Sequence, residues 1–277
     1  MFHRARSFSY ALLFVFAASQ PVLGAEQANH LSRAEKAEFL LNAKPSKRRP
    51  AGKGVTGSER ATFSDGKIEH DAHIQSIDEE KASFTTARGT ELNFKDSYKF
   101  NIAAYRLDQI LGLNMTPVSV ERRIGGKSSA VTWWVDDVLM DEEARHKNNV
   151  EPPDKDAWNQ QMYIVRVFDQ LIYNTDRNLG NMLIDKSWNI WMIDHTRAFR
   201  LQTKLENPKN LVTCERRLLA GLRKLDEDTL MEQLRPYLTK SEVKALLARR
   251  DLIVKFFDQA VAEKGESAIL YDLPQRP

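Results

Sequence analysis

Three oxygen-bearing side chains in the middle of the chain are spaced for phosphoryl transfer. Asp176 opens the stretch Asp176-Arg177-Asn178-Leu179-Gly180-Asn181, and Asp194 closes the apolar run Ile190-Trp191-Met192-Ile193. Asn181 falls where a loop passes into the strand Met182–Asp185, and Asp194 ends the second strand, Ile190–Ile193. A hairpin brings the ends of its two strands together, so Asn181 and Asp194 are expected side by side, with Asp176 just above them. A hard divalent cation takes oxygen ligands, and an Asn carbonyl with an Asp carboxylate supplies them. A separate carboxylate, Asp176, suits the orientation of an attacking hydroxyl and the acceptance of its proton. Arg177 is placed to neutralise Asp176 or a phosphate. One Asp-Arg pair in a loop reads as an ordinary salt bridge; the combination at this spacing carries the chemistry.

The elements that must position these residues follow from periodicity. Trp158, Met162, Val165, Phe168 and Ile172 form one helical stripe, widened by Ile164, Val167 and Leu171, so the helix before Asp176 is expected to be buried. After the Asp194 hairpin the chain reads as helices over Val212–Leu225, Asp226–Tyr237 and Ser241–Glu263, with their leucines in the core and Cys214 a buried small hydrophobe on the first of them. Before Asp176 the chain is β-rich. Asp65-Gly66 and Arg88-Gly89 predict two hairpins, and Gly125-Gly126 joins two more strands, Val118–Ile124 and Ala130–Val135. Between them Phe100, Ala103, Ala104, Leu107 and Leu111 recur at helical spacing, and Gly112 stops that helix. A short capped helix is expected over Leu31–Leu41, with Ser32 and Glu35 as a capping box. Lys44–Lys53 reads as a linker, because Pro45 and Pro50 break regular structure. Its Lys44, Lys47, Arg48, Arg49 and Lys53 form either a solvated linker or a patch for phosphate or an anionic surface.

The stretch from Tyr173 to His195 resembles the catalytic core of the atypical kinases that include the phosphatidylinositol 3- and 4-kinases. It also resembles the secretory-pathway kinases of the Golgi casein kinase type. The helix Phe100–Leu111 and the Thr116-Pro117-Val118 segment after it resemble the helix of those secretory kinases that carries their ion-pair Glu. The resemblance spans Gly52 to Phe199. It implies an α+β, protein-kinase-like fold, with a small antiparallel β N-lobe carrying one helix and a mainly helical C-lobe. It implies ATP as nucleotide, Mg²⁺ or Mn²⁺ held by Asn181 and Asp194, Asp176 as catalytic base, and a protein or lipid acceptor. Gly52-Lys53-Gly54-Val55-Thr56-Gly57 has GxGxxG spacing ahead of a strand, and Gly52, Gly54 and Gly57 are candidates for closing over phosphates.

Two positions depart from the pattern. A kinase holds the α/β-phosphates with a strand Lys oriented by a helix Glu. On Asp71-Ala72-His73-Ile74-Gln75 the residue in the Lys place is Gln75, and the helix carries Asn101 in the Glu place. Two amides for one ion pair is coherent, since a lone buried charge is costly, and it keeps a non-catalytic pseudokinase open as the alternative. Lys67, Lys81, Lys95 and Lys99 are the candidate substitutes for the missing cation. His70 and His73, three apart on a strand, fall on opposite faces and so do not form a metal pair. Trp133-Trp134 reads as core and edge packing.

Composition bounds these readings. The 277 residues carry a formal charge of +3, with 42% hydrophobic and 29% charged residues, which excludes a disordered tail, a collagen-like chain and a polytopic membrane protein. So small a basic excess gives no support for nucleic-acid binding. The one Cys precludes an internal disulfide. Residues 1–24 carry Arg4, Arg6, an apolar run and Val22-Leu23-Gly24, the pattern of a secretory signal peptide cleaved after Gly24. The run is short of the roughly 20 residues that span a bilayer. Export to a periplasm or the exterior is expected, with no transmembrane segment in the mature chain. The expected organisation is a signal at 1–24, a helix and basic linker at 25–53, a β-rich N-lobe at 54–140 and a helical C-lobe at 141–277.

Overall fold

The computed structural model describes residue 28 and residues 30–51, 57–86 and 89–276. Residues 1–24, where an export signal is expected, and Gly52, Gly54 and Arg88 lie outside the described residues. The first helix, α1 (Arg33–Asn42), starts on the expected capping box: Ser32 accepts the Glu35 N–H while Glu35 accepts from Ser32.

The basic segment after it is a strand, not a linker. β1 (Lys44–Pro50) pairs antiparallel with β2 (Glu59–Ser64), with a bulge between Ser46 and Arg49. Pro45 and Pro50 are compatible with a strand because β1 is the edge of its sheet, where a missing N–H costs no ladder bond. Its arginines are engaged: Arg48 pairs with Glu59 at 2.7 Å and Arg49 with Asp71 at 3.2 Å. β2 turns through Asp65-Gly66 into β3 (Glu69–Gln75), as the dipeptide predicts, with Asp65 accepting the Lys67 and Ile68 N–H groups.

β4 (Asp78–Thr86) and β5 (Gly89–Ser97) form a separate two-stranded ribbon. α2 (Tyr98–Leu111) follows directly, capped by Ser97 and ended by Gly112 at φ +65°, which a Cβ would strain. β6 (Ser119–Ile124) and β7 (Lys127–Trp133) complete a five-stranded antiparallel sheet in the order β1-β2-β3-β7-β6. Two apolar clusters result. One lies between the sheet and α1, around Phe39, Phe63, Ile74 and Trp133; the other fills the helical half. α2 serves both: Tyr105 belongs to the first, while Phe100, Ala103, Leu107 and Leu111 belong to the second. That dual burial makes α2 the element through which the halves are coupled.

In the second half, α4 (Lys155–Ile172) is buried as its stripe requires. Before it come β8 (Val138–Asp141) and α3 (Glu142–Lys147), neither expected from sequence. β8 adds a third strand to the hairpin of β9 (Met182–Asp185) and β10 (Ile190–Met192). Cys214 lies in a two-residue strand, β11 (Cys214–Glu215), not on a helix; α5 (Arg216–Lys224) begins only after Glu215 caps it. α6 (Glu227–Leu234) and α7 (Lys240–Lys264) match the remaining helical patterns, and α8 (Glu266–Ile269) leads into β12 (Leu270–Tyr271), which pairs with β11. Cys214 is fully buried, and burial pushes its thiol up, so it stays protonated and inert. Among the described residues no helix is long and apolar enough to cross a membrane.

Candidate active site

α4 ends at Tyr173, whose φ of +48° turns the chain sharply out of the helix. A non-glycine residue in the left-handed region costs about 1 kcal/mol or more. The turn is held by its neighbours: Asn174 donates to the Asp169 carboxylate at 3.1 Å and accepts the Asp176 N–H at 3.1 Å. Asp176 is thereby fixed by an Asn turn two residues upstream. Its own carbonyl accepts from the Asn181 side-chain amide at 3.1 Å. With the amide nitrogen so used, the Asn181 side-chain oxygen, Oδ1, is the atom that could face a cation.

The hairpin brings Asn181 to the end of β10. The Ile193 N–H donates to the Asn181 carbonyl at 3.0 Å, which sets Asp194 one residue beyond Asn181's partner. Asp185 closes the turn by accepting from the Ser187 and Asn189 N–H groups, and Gln161 of α4 ties the hairpin to the helix through Ile190 and Trp188. Asp194 is exposed, sits at φ +53°, and accepts from the Thr196 hydroxyl at 3.1 Å. The sequence thus located Asp176, Asn181 and Asp194 in one place.

Arg177 ties three elements together. Its guanidinium pairs with Asp169 of α4 at 3.0 Å and donates to the carbonyls of Asn181 and Ile193 at 2.9 and 2.8 Å. Both side chains of that pair are about nine-tenths buried. Arg177 is therefore the brace that joins helix, loop and hairpin. Asp169 was not singled out from sequence, because nothing in a helical acid eight residues upstream distinguishes it from a solvated one.

Asn101 of α2 meets this loop directly. Its side-chain carbonyl accepts the His195 N–H at 2.7 Å, fixing the residue after Asp194. His195 is buried, and burial followed by the Arg177 charge holds its imidazole well below the usual range, so it is neutral. Gln75 is buried at the end of β3 and accepts the Ile77 N–H at 3.2 Å. The strand's histidines divide as alternation requires. His70 stacks on Trp133 at 3.6 Å and pairs with Asp136, while His73 lies on the other face within the field of Asp194. Burial lowers the His73 imidazole and the Asp194 charge opposes it. Trp134 carries the Arg60 guanidinium on its ring at 4.0 Å.

The candidate lysines are otherwise engaged: Lys81 with Glu79, Lys95 with Glu80 and Glu242, and Lys99 with Asp78. Lys67 is in the exposed turn after Gly66. Gly57 has φ +63°, and no atom of the described residues lies within 4 Å of a Cβ placed there. The Arg88-Gly89 hairpin supplies β5 as expected, but sequence reasoning missed that β5 packs against the Asp194 loop. The Ser97 N–H donates to the Thr196 carbonyl at 2.9 Å, and Glu91 pairs with Arg197 at 3.2 Å and Arg200 at 2.7 Å.

A buried α2 linking a five-stranded sheet to a helical half, with an acid-bearing loop and hairpin at their junction, is the architecture of an atypical protein-kinase-like fold, and this chain has it. Two solved structures share it. Hydra Fam20 with sugar superposes at a TM-score of 0.67 with 15% identity, over 85% of this chain and 91% of that one. The Golgi casein kinase with Mn/ADP bound superposes at 0.60 with 12% identity, over 88% and 80%. No protein-family model matches the chain, and no curated protein matches its sequence.

Proposed function

We propose that the chain is an exported atypical kinase that transfers the γ-phosphate of ATP to a hydroxyl, on a protein in preference to a lipid. The observation that carries this reading is the convergence of Asp176, Asn181 and Asp194 on a loop and hairpin held by Arg177 and Asp169. The fold supports it, as does a structural neighbour solved with Mn/ADP. The amino-terminal pattern supports export.

A divalent cation fits the donor set: an amide oxygen and an exposed carboxylate, with a further buried carboxylate oxygen nearby that has no hydrogen-bond partner. When bound at Asn181 and Asp194, Mg²⁺ or Mn²⁺ would neutralise charge on the transferring phosphoryl group. Asp176 orients the acceptor hydroxyl and takes its proton as the new O–P bond forms. The bond from the γ-phosphorus to its bridging oxygen breaks, and its electron pair leaves on ADP. Asn101 keeps the Asp194 loop in register with α2 through the His195 N–H. The test is Mn²⁺-dependent release of ADP from ATP by the purified mature chain. Asp176→Ala and Asp194→Ala are expected to abolish it, and turnover that survives both substitutions contradicts the reading.

A specific observation favours a second reading, a pseudokinase that binds nucleotide or a partner protein without turnover. Gln75 and Asn101 stand where the Lys–Glu ion pair is expected, and Asn101 is used as a backbone tie. Under this reading ADP binds with Mn²⁺ and no ADP is released from ATP. Gln75→Lys combined with Asn101→Glu sharpens the choice: nucleotide affinity that falls marks the amides as adapted, and affinity that rises marks them as decayed.

A further inference from the structure

The ribbon that packs on the metal loop carries an acid that the mechanism above does not use. Asp96, next to last in β5, is 7% exposed. Among the described residues its Oδ1 is buried without a hydrogen-bond partner. A buried carboxylate oxygen left unpaired is costly, and native proteins seldom keep one without a reason.

The surroundings narrow the reason. The guanidinium groups within reach of Asp96 are those of Arg197 and Arg200, and Glu91 pairs with both. Among the described residues, the Thr196 hydroxyl is within hydrogen-bonding reach of Asp96, and it donates to Asp194 Oδ1. A hydroxyl has a single hydrogen, so it serves one carboxylate fully at a time. Asp194 lies close enough for its charge to act on Asp96. Arg197 and Arg200 act on Asp96 through their charge, but Asp96 Oδ1 takes no hydrogen bond from them, although Arg197 Nε and Arg200 Nη2 are themselves without hydrogen-bond partners among the described residues. Two carboxylates thus share one hydroxyl, one buried and one exposed. Such a pair is stabilised by a cation between them.

We propose that Asp96 is a further ligand of the divalent cation held by Asn181 and Asp194, delivered from the β4–β5 ribbon rather than from β3 or α2. The inference rests on the kinase-like reading of Asn181 and Asp194. It gives the ribbon a role: the N-lobe contributes negative charge to the cation directly, in a chain whose Lys–Glu places hold amides. The cation then links the ribbon to the hairpin, and its binding stiffens the contact that Ser97 and Thr196 make through their backbones.

The test is an electron paramagnetic resonance titration of Mn²⁺, alone and with ADP, into the wild type, Asp96→Asn and Asp194→Asn. The wild type is expected to bind Mn²⁺, and both variants to bind it about tenfold or more weakly. Asp96→Asn keeps the side-chain shape, and without metal it is expected to melt at or above the wild-type temperature, because a carboxylate repulsion is removed. Asp96→Ser provides the same loss of charge should the Asn variant fold poorly. Mn²⁺ affinity that falls in Asp194→Asn and is unchanged in Asp96→Asn and Asp96→Ser overturns the role of Asp96 and leaves the kinase-like reading standing. No Mn²⁺ binding by the wild type, with or without ADP, overturns both.

Discussion

The two halves of the site hold their functional side chains by different means. In the helical half the loop and hairpin are fixed by near neighbours in sequence. Asn174 serves Asp176, Asn181 serves the Asp176 carbonyl, and Arg177 binds Asp169 and the two ends of the hairpin. In the sheet half each group is held from far along the chain. Asn101 meets His195, Glu91 meets Arg197, and Arg33 of α1 meets Asp108 of α2. The first half is a self-bracing unit, and the second is an assembly that holds only when α2 and the β4–β5 ribbon are docked. The half that would carry base and cation is therefore built to persist, and the half that would clamp phosphate is open to change.

The largest expected effect falls in the helical half. Asp176→Ala lowers ATP turnover by about 10²–10⁴-fold with little loss of stability, the range expected for a general base. A comparable loss from Gln75→Ala would break the comparison, because it would make the sheet half an equal partner in the chemistry. Next comes the brace. Arg177→Ala leaves Asp169 as a buried, unpaired carboxylate and is expected to cost about 3–5 kcal/mol in chemical denaturation. Asp169→Ala added to Arg177→Ala then costs little more, since the two share one interaction.

This contrast also decides what was legible in the sequence. The Asp176 loop could be read because its determinants lie close together in the chain: the spacing of Asp176 and Asn181, two short strands that end in Asp194, and an apolar stripe that buries α4. The brace that Arg177 makes with Asp169 was not legible, because Asp169 is a helical acid with no local mark. β1 was hidden by its prolines, whose exclusion from sheets lapses at an edge. β8 was hidden by its length, four residues whose ladder partner lies some forty residues on. The packing of β5 on the Asp194 loop depends on tertiary contact and left no periodic trace.

A third expectation concerns pH. Asp108 is fully buried, and burial raises its carboxyl from an ordinary 3.8 to about 6, against the pull of Arg33 and of the Met115 and Thr116 N–H groups. The folded chain therefore holds this proton more tightly than the unfolded one. The group's contribution to stability falls as pH rises from about 4 to about 6, by up to roughly 3 kcal/mol. Denaturation of the wild type and of Asp108→Asn across that range checks the sign: the variant should show the flatter profile, and a steeper one contradicts it. The smallest effect is expected at the long-range tie. Asn101→Ala strips the His195 N–H of its acceptor at about 1–3 kcal/mol. It should also weaken cation-dependent nucleotide binding, while helix content by circular dichroism stays as in the wild type.

The central claim is that the Asp194 half keeps a cation-dependent nucleotide site whatever has become of the phosphate clamp. Calorimetric titration of ADP into the mature chain, with and without Mn²⁺, tests it most directly. The account predicts saturable binding that requires Mn²⁺, is lost in Asp194→Ala and survives in Gln75→Ala. Binding that ignores Mn²⁺, or that persists in Asp194→Ala, would contradict it.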